Sequence, residues 1–186
     1  MSSRQPQPRD RHAAVGFGQK LYIWEGDGGS SKIQNSAIDV FDLSSETWNE
    51  SMKLRGSLPA GLQDVAVTTD GQCAYSFGGI SDSFLNAVYK VQLSTLQCIE
   101  LPQKNCTHAP LKKCGSGVVY FNQKLVVYGG WTGLETTDEL NAIDTKTGEH
   151  MYIYIPQITG TGSLVLGRKY PMEIMVHHTI FPGNIL

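Results

Sequence analysis

The stretch KLVVYGGWTG, residues 124–133, is an apolar, β-branched run that stops on two adjacent glycines, Gly129 and Gly130. β-Branched side chains favour extended backbone. Glycine ends a strand where the chain needs a positive φ or must let another backbone come close. The same event occurs twice more. CAYSFGGISD at 73–82 runs into Gly78 and Gly79, and KLYIWEGDGG at 20–29 repeats the pattern with Glu25 in place of the first glycine. The second glycines, Gly26, Gly79 and Gly130, lie 53 and 51 residues apart. A period of about 50 residues signals a repeat architecture.

A second landmark tests that period. AIDVFDLSSETW (37–48), LNAVYKVQLSTLQC (85–98) and LNAIDTKTGEH (140–150) align so that Asp42, Gln92 and Asp144 correspond, 50 and 52 residues apart. Six residues later come Trp48, Cys98 and His150. The third copy reads most clearly: an apolar run Cys114 to Phe121, a turn Asn122-Gln123-Lys124, and a second run Leu125 to Tyr128 form a hairpin. After a polar loop to Asp138 come a short strand near Leu140 to Ile143, a turn at 144–148 and a closing strand Met151 to Ile155. In that turn Asp144 can accept backbone N–H bonds and Gly148 can supply a left-handed exit.

Four antiparallel strands per repeat describe a propeller blade, an all-β module that must stack on its neighbours to bury its faces. The expected organisation is a tail at 1–8, blades at 9–56, 57–106 and 107–158, and a linker with the first strand of an incomplete fourth blade at 159–186. The tail from Pro171 has the shape of that strand, with His178 and the turn Gly183-Asn184. Leu186 falls inside the hairpin, so the chain is expected to be a truncated product.

The pattern resembles the kelch repeat. Its signature is a double glycine ending the second strand, an aspartate or asparagine after the third, and a tryptophan opening the fourth. Gly78-Gly79 and Gly129-Gly130 match the first feature, Asp42 and Asp144 the second, and Trp48 the third; Arg9-Asp10-Arg11-His12 matches the Arg-x-x-His that opens the first strand. The departures are Glu25, Gln92, Cys98 and His150. The resemblance implies a partial kelch β-propeller with Trp48 packed between blades. It also implies a protein or peptide partner, in a scaffold, an adaptor or a ubiquitin-ligase substrate receptor. The rival is a fragment of a propeller enzyme whose catalytic residues lie outside this chain.

Composition narrows the classes. Gly 20 in 186 residues suits a turn-rich β protein, and charged residues at 17% are fewer than usual. A net charge of −2, with no basic cluster larger than the pair Lys112-Lys113, gives no case for nucleic acid. The N-terminus lacks an apolar signal core and no apolar run reaches membrane-spanning length, so a soluble, cytoplasmic protein without membrane contact is expected. Cys73, Cys98, Cys106 and Cys114 show no Cys-x-x-Cys spacing and read as buried thiols. The sequons at Asn49 and Asn105 read as accidental.

No motif argues for catalysis, a metal or a cofactor. Gly162 and Gly167 are spaced like a phosphate loop, but Arg168 and Lys169 stand where lysine and a hydroxyl are needed. His177 and His178 are adjacent, so on a strand they point to opposite faces. Glu135, Asp138 and Glu139 share one loop with no histidine at short spacing before His150. The surface that remains is made of loops. The loops after the double glycine are Asp27 to Ser36, Ile80 to Phe84 and Trp131 to Asp138; those leading into first strands contribute Arg9, Arg11, Lys112 and Lys113. The candidate partner-binding residues are Arg9, Arg11, Asp27, Asp82, Lys113, Trp131, Thr132 and Glu135. Trp131 leads, because an aromatic in a polar loop is costly to solvate and is enriched at interface hot spots. Open blade edges also offer a route to self-association.

Overall fold

A computed structural model describes residues 5–29, 37–49, 51–56, 58–104 and 109–153, and the backbone alone at 157–158 and 164–165. The chain divides into two units, Met1–Tyr154 and Ile155–Leu186. Among the described residues all regular structure is strand. In the first unit, β1 (Ala13–Phe17), β2 (Lys20–Trp24), β3 (Ala37–Asp42) and β4 (Thr47–Trp48) form an antiparallel sheet in that order, and β5 (Met52–Lys53) also pairs with β3. β6 (Arg55–Gly56) runs parallel to the outer strand of the next sheet, which is β7 (Ala66–Thr69), β8 (Cys73–Phe77), β9 (Val88–Gln92) and β10 (Gln97–Glu100). The third sheet is β11 (Gly117–Phe121), β12 (Lys124–Tyr128), β13 (Leu140–Asp144) and β14 (His150–Tyr152). In the second unit, β15 (Gln157–Ile158) pairs antiparallel with β16 (Leu164–Val165).

Each repeat therefore folds as a four-stranded meander, and the two landmarks explain why. Asp42 Oδ1 accepts the amides of Ser44 and Ser45, and Asp144 Oδ1 accepts those of Lys146 (2.9 Å) and Thr147 (2.8 Å). The turn exit is left-handed in all three copies, at Glu46 (φ 52), Leu96 (φ 57) and Gly148 (φ 72). Only the third copy uses glycine there. The reason is local: a Cβ at 148 would strike the carbonyl of Pro102, where the chain leaving the second blade crosses and the Lys104 amide donates to Gly148 O (2.8 Å).

The double glycines answer a similar demand. Gly78 and Gly79 both take positive φ, at 66° and 93°. A Cβ at 78 would collide with the carbonyl of Lys113, and one at 79 would lie 2.6 Å from Val65 Cγ1 and 2.8 Å from Gln63 O. A side chain at 78 would wedge open the approach to the next blade, and one at 79 would clash within its own. Backbone bonds fill that space instead: Gly26 N–H donates to Leu62 O (3.1 Å) and Gly79 N–H to Lys113 O (2.9 Å). A second series links equivalent residues of successive blades, Asp64 N–H to Arg11 O and Gly115 N–H to Asp64 O, each 3.0 Å. Arg11, Asp64 and Gly115 all have φ between 50° and 62°.

The cores lie between blades. One joins Tyr22, Trp24, Ile38 and Val40 to Ala74, Tyr89, Val91 and Cys98; the other joins Cys73, Tyr75, Phe77 and Val88 to Leu125, Val127 and Ile143. Tyr75 stacks on Tyr120 across the second seam, centroids 5.3 Å apart. Cys73, Cys98 and Cys114 are buried and not joined in disulfides.

Three expectations shift. Cys114 is not in β11; it forms an isolated bridge to Trp131, and the strand starts at Gly117. Gln92 has no carboxylate to organise its turn, and in the second blade that role moves to the preceding hairpin, where Asp70 Oδ1 accepts the amides of Gln72 and Cys73. Trp48 is half-buried and packs edge-to-face on Phe41 (5.1 Å) on the outward side of the first blade, not between two described blades. Its register partners Cys98 and His150 do occupy seams. Cys106, the Asn105 sequon, the 162–169 glycine spacing, His177, His178 and the tail from Pro171 lie outside the described residues.

Candidate functional site

Three isolated bridges, Asp10 to Asp27, Gln63 to Ile80 and Cys114 to Trp131, tie the approach to each first strand to the loop following each second strand. Both candidate loop sets therefore meet at one end of the blades. The opposite end carries the turns at 43–46, 93–96 and 145–147.

The candidate residues separate into two groups. Arg9 and Lys113 occupy equivalent positions, one residue before the bridge, and both are buried. Arg9 pairs with Asp39 and donates to Glu25 O (3.3 Å), while Ser51 also donates to Asp39. Lys113 has no exposed surface; its Nζ lies 2.9 Å from Glu139 Oε2 and 6.0 Å from the Phe77 ring centroid. These cations anchor the first strand to the third of the same blade and present no charge to solvent. A buried charge is tolerated only when paired. The expectation that Arg9 and Lys113 face a partner is corrected on this ground.

The others stay accessible. Arg11 is exposed, donating to Gln63 Oε1 (3.0 Å) with Asp10 3.8 Å away. Asp27 is half-buried and accepts the Gly29 amide; the described part of its loop ends at Gly29. Asp82 is exposed at the tip of the loop closed by the Ile80–Phe84 bridge. Trp131 is 42% exposed, Thr132 partly buried and Glu135 exposed.

The loop bearing Trp131 is a built structure. A bridge from Trp131 to Thr136 closes it, and Thr132 N–H donates to Glu135 O (3.0 Å). Thr132 Oγ1 accepts the amides of Leu134 and Glu135. At its tip Leu134 is 92% exposed. Gly133 backs onto the Phe84 ring, so close that a Cβ there would sit 2.6 Å from it, and this joins the loops of the second and third blades. Sequence reading singled out Trp131 but passed over Leu134. An apolar residue between Gly133 and Glu135, in a loop with no partner strand, was the available signal.

A second overlooked residue is Glu25. It holds the first-glycine position at φ 62 and turns its carboxylate inward. Among the described residues neither oxygen finds a hydrogen-bond partner at good geometry. Burial pushes its pKa up to about 8, against a pull from the Trp24 side chain. The charge is felt across the first seam: Cys98 is raised to about 12 by burial and then by Glu25 and Glu100. The described residues contain no group of three or more His, Cys, Asp or Glu side chains suited to a metal ion. No helix among them is long and apolar enough to cross a membrane.

Repeats of this spacing, a double glycine at two of the three second-strand ends and stacked four-stranded sheets point to one family. A family model described as the KLHDC2/KLHL20/DRC7 Kelch-repeats domain matches residues 1–180. The chain belongs to the kelch-repeat family. It is an all-β, partial kelch β-propeller of antiparallel four-stranded blades, and a protein-interaction module. Among curated proteins it is 26% identical over 155 residues to the Host cell factor homolog hcf-1 of Caenorhabditis elegans, covering 72% of this chain and 19% of that protein. It is 26% identical over 140 residues to Acyl-CoA-binding domain-containing protein 4 of Arabidopsis thaliana, covering 71% and 21%. With the Leucine-zipper-like transcriptional regulator 1 homolog of Drosophila melanogaster it shares 24% identity over 149 residues, covering 77% and 15%. The kelch chain thus spans about a fifth or less of the length of these relatives.

Proposed function

We propose that the kelch chain is a cytoplasmic scaffold or adaptor, of the kind that serves as a ubiquitin-ligase substrate receptor, binding a protein or peptide through the loop end of its blades. The supporting observation is the hydrogen-bonded turn at 131–136, which holds Leu134 and Trp131 in solvent beside the Phe84 loop. Exposed apolar side chains on a rigid element mark an interaction site, because they lose water on contact without a large ordering cost. Arg11, Asp27, Asp82, Thr132 and Glu135 lie at the same end of the blades and supply the polar rim of this reading.

The test is site-directed photo-crosslinking in the intact chain. A photoreactive residue at Leu134 or Asp82 is expected to capture partner, whereas one at Ser44, at the opposite end, is not. Crosslinks formed only from Ser44 would overturn the reading.

A second contact is favoured by the third blade, where Val119, Phe121, Tyr128 and Met151 are exposed together. They occupy the face that in the first two blades packs against the next. We infer that this face associates with another blade, from a second copy when no other is offered.

A further inference from the structure

The two loops that touch at Phe84 and Gly133 carry charge of one sign. Residues 80–84 contribute Asp82 and no base; residues 131–138 contribute Glu135 and Asp138 and no base. All three carboxylates are exposed and belong to the same two loops as the exposed Leu134 and Trp131, loops that meet where Gly133 backs onto Phe84. The basic residues nearby do not cancel them: Lys113 is spent inside the blade on Glu139, and Arg11 is engaged by Asp10 and Gln63. Lys112, exposed on the approach to the third blade, offsets part of the charge. The patch is therefore more acidic than a chain of net charge −2 requires.

We propose that this loop pair docks a basic segment of a partner chain, one with lysines or arginines on both sides of an apolar residue. This rests on the reading that the loop end is where partners bind, and adds the chemistry of the partner. The apolar residue seats on Leu134 and Trp131, removing apolar surface from water. Flanking cations meet Asp82, Glu135 and Asp138, and one can lie over the Trp131 ring. Carboxylates of one sign speed encounter with a basic segment and repel an acidic one, so charge sets selectivity more than strength.

Three short fluorescein-labelled peptides with a central Leu-Phe pair, flanked by Lys/Arg, by Asp/Glu or by Ser/Gly, are titrated with the 186-residue chain and followed by anisotropy. The basic peptide is expected to bind at least about tenfold more tightly than the neutral one, with the preference shrinking as salt is raised. Leu134→Ser should weaken its binding by about tenfold. Asp82→Lys, Glu135→Lys and Asp138→Lys together should move the preference to the acidic peptide. These exposed substitutions should leave the unfolding midpoint in place. Equal binding of the neutral peptide, a preference that survives charge reversal, or failure of all three peptides overturns the inference. So does occupation of the same loops by a second copy, seen as a mass change that Leu134→Ser abolishes. Each of these leaves the loop-end reading standing if Leu134 still crosslinks a partner. Crosslinks confined to Ser44 remove both.

Discussion

Strands β8 and β12 hold the same place in adjacent blades, and both read in sequence as short apolar runs. In β8 all five residues, Cys73 to Phe77, are buried; in β12 burial alternates, with Leu125 and Val127 covered and Tyr128 exposed. The alternation of a strand is set by what stacks on its two faces. The second blade is sandwiched, so even Ser76 is buried on its first-blade side, while Tyr75 and Phe77 enter the second seam. Tyr128 occupies the register position of Phe77 and Trp24, facing away from the second blade. Replacing the two positions should separate these environments. Phe77→Ala should destabilise by about 3–5 kcal/mol, since it opens a cavity in a seam. Tyr128→Ala should fall within about 0.5 kcal/mol, as an exposed substitution does. Denaturant unfolding of both variants checks this, and comparable losses would contradict the asymmetry.

The two seams differ in chemistry as well as coverage. At the second, glycines bring backbone against backbone; at the first, Glu25 buries a carboxyl whose oxygens find no partner at good hydrogen-bond geometry among the described residues. Its folded pKa, about 8, lies above the ordinary 4.5. The unfolded chain gives up the proton first, so the stability this group supports is intact below pH 4.5 and is lost as pH rises through about 8. The loss should be on the order of 5 kcal/mol. Glu25→Gly restores the double glycine at a φ that glycine prefers and should flatten this slope, making the variant the more stable protein at alkaline pH. Parallel unfolding curves for variant and parent across that window would show that the carboxyl is solvated.

Much of this was legible because it depends on local geometry. Gly79, Gly130, Asp42 and Asp144 mark positions where φ or a turn amide admits few residue types, and their spacing alone gave the repeat. Positions tolerating many residue types were silent. Arg11, Glu46, Asp64 and Leu96 adopt left-handed φ with side chains that do not announce it, so the hydrogen-bond series from Arg11 to Gly115 could not be read beforehand. The site was half legible. Composition marked Trp131 and the acidic loop, but whether a cation is surface or core depends on a carboxylate supplied from elsewhere. Asp39 and Glu139 withdraw Arg9 and Lys113 from the surface, and nothing near those two in sequence says so.

The fourth-strand position compares all three blades. Trp48 lies half-open on the first blade, while Cys98 and His150 are buried in the two seams. Cysteine is soft enough to pack among apolar groups. Histidine is not, and among the described residues neither ring nitrogen of His150 has a partner, with burial holding its pKa below 6.5. A neutral folded imidazole and a protonated unfolded one mean that stability is held above pH 6.5 and lost as pH falls below it. His150→Leu should remove that acid-side slope and gain about 1 kcal/mol near neutrality. A slope that persists in the variant would assign it to another group.

The smallest effect on folding is expected where the contrast between blades is widest. Val119 and Phe121 are 52% and 64% exposed, although their strand partners across β12, Val126 and Lys124, are half-buried. Val119→Thr with Phe121→Thr keeps one β-branched residue and adds another, so strand propensity is preserved and stability should change by less than about 0.5 kcal/mol. Association should change far more. Apolar side chains beside an open sheet edge draw chains together, so the parent should show an apparent mass that climbs with concentration in sedimentation equilibrium. The double variant should stay near 20.4 kDa. If both behave as monomers, the exposed face of the third blade is inert; if both self-associate alike, the contact lies elsewhere, and the outward face of the first blade, with Phe41 and Trp48, becomes the surface to alter next.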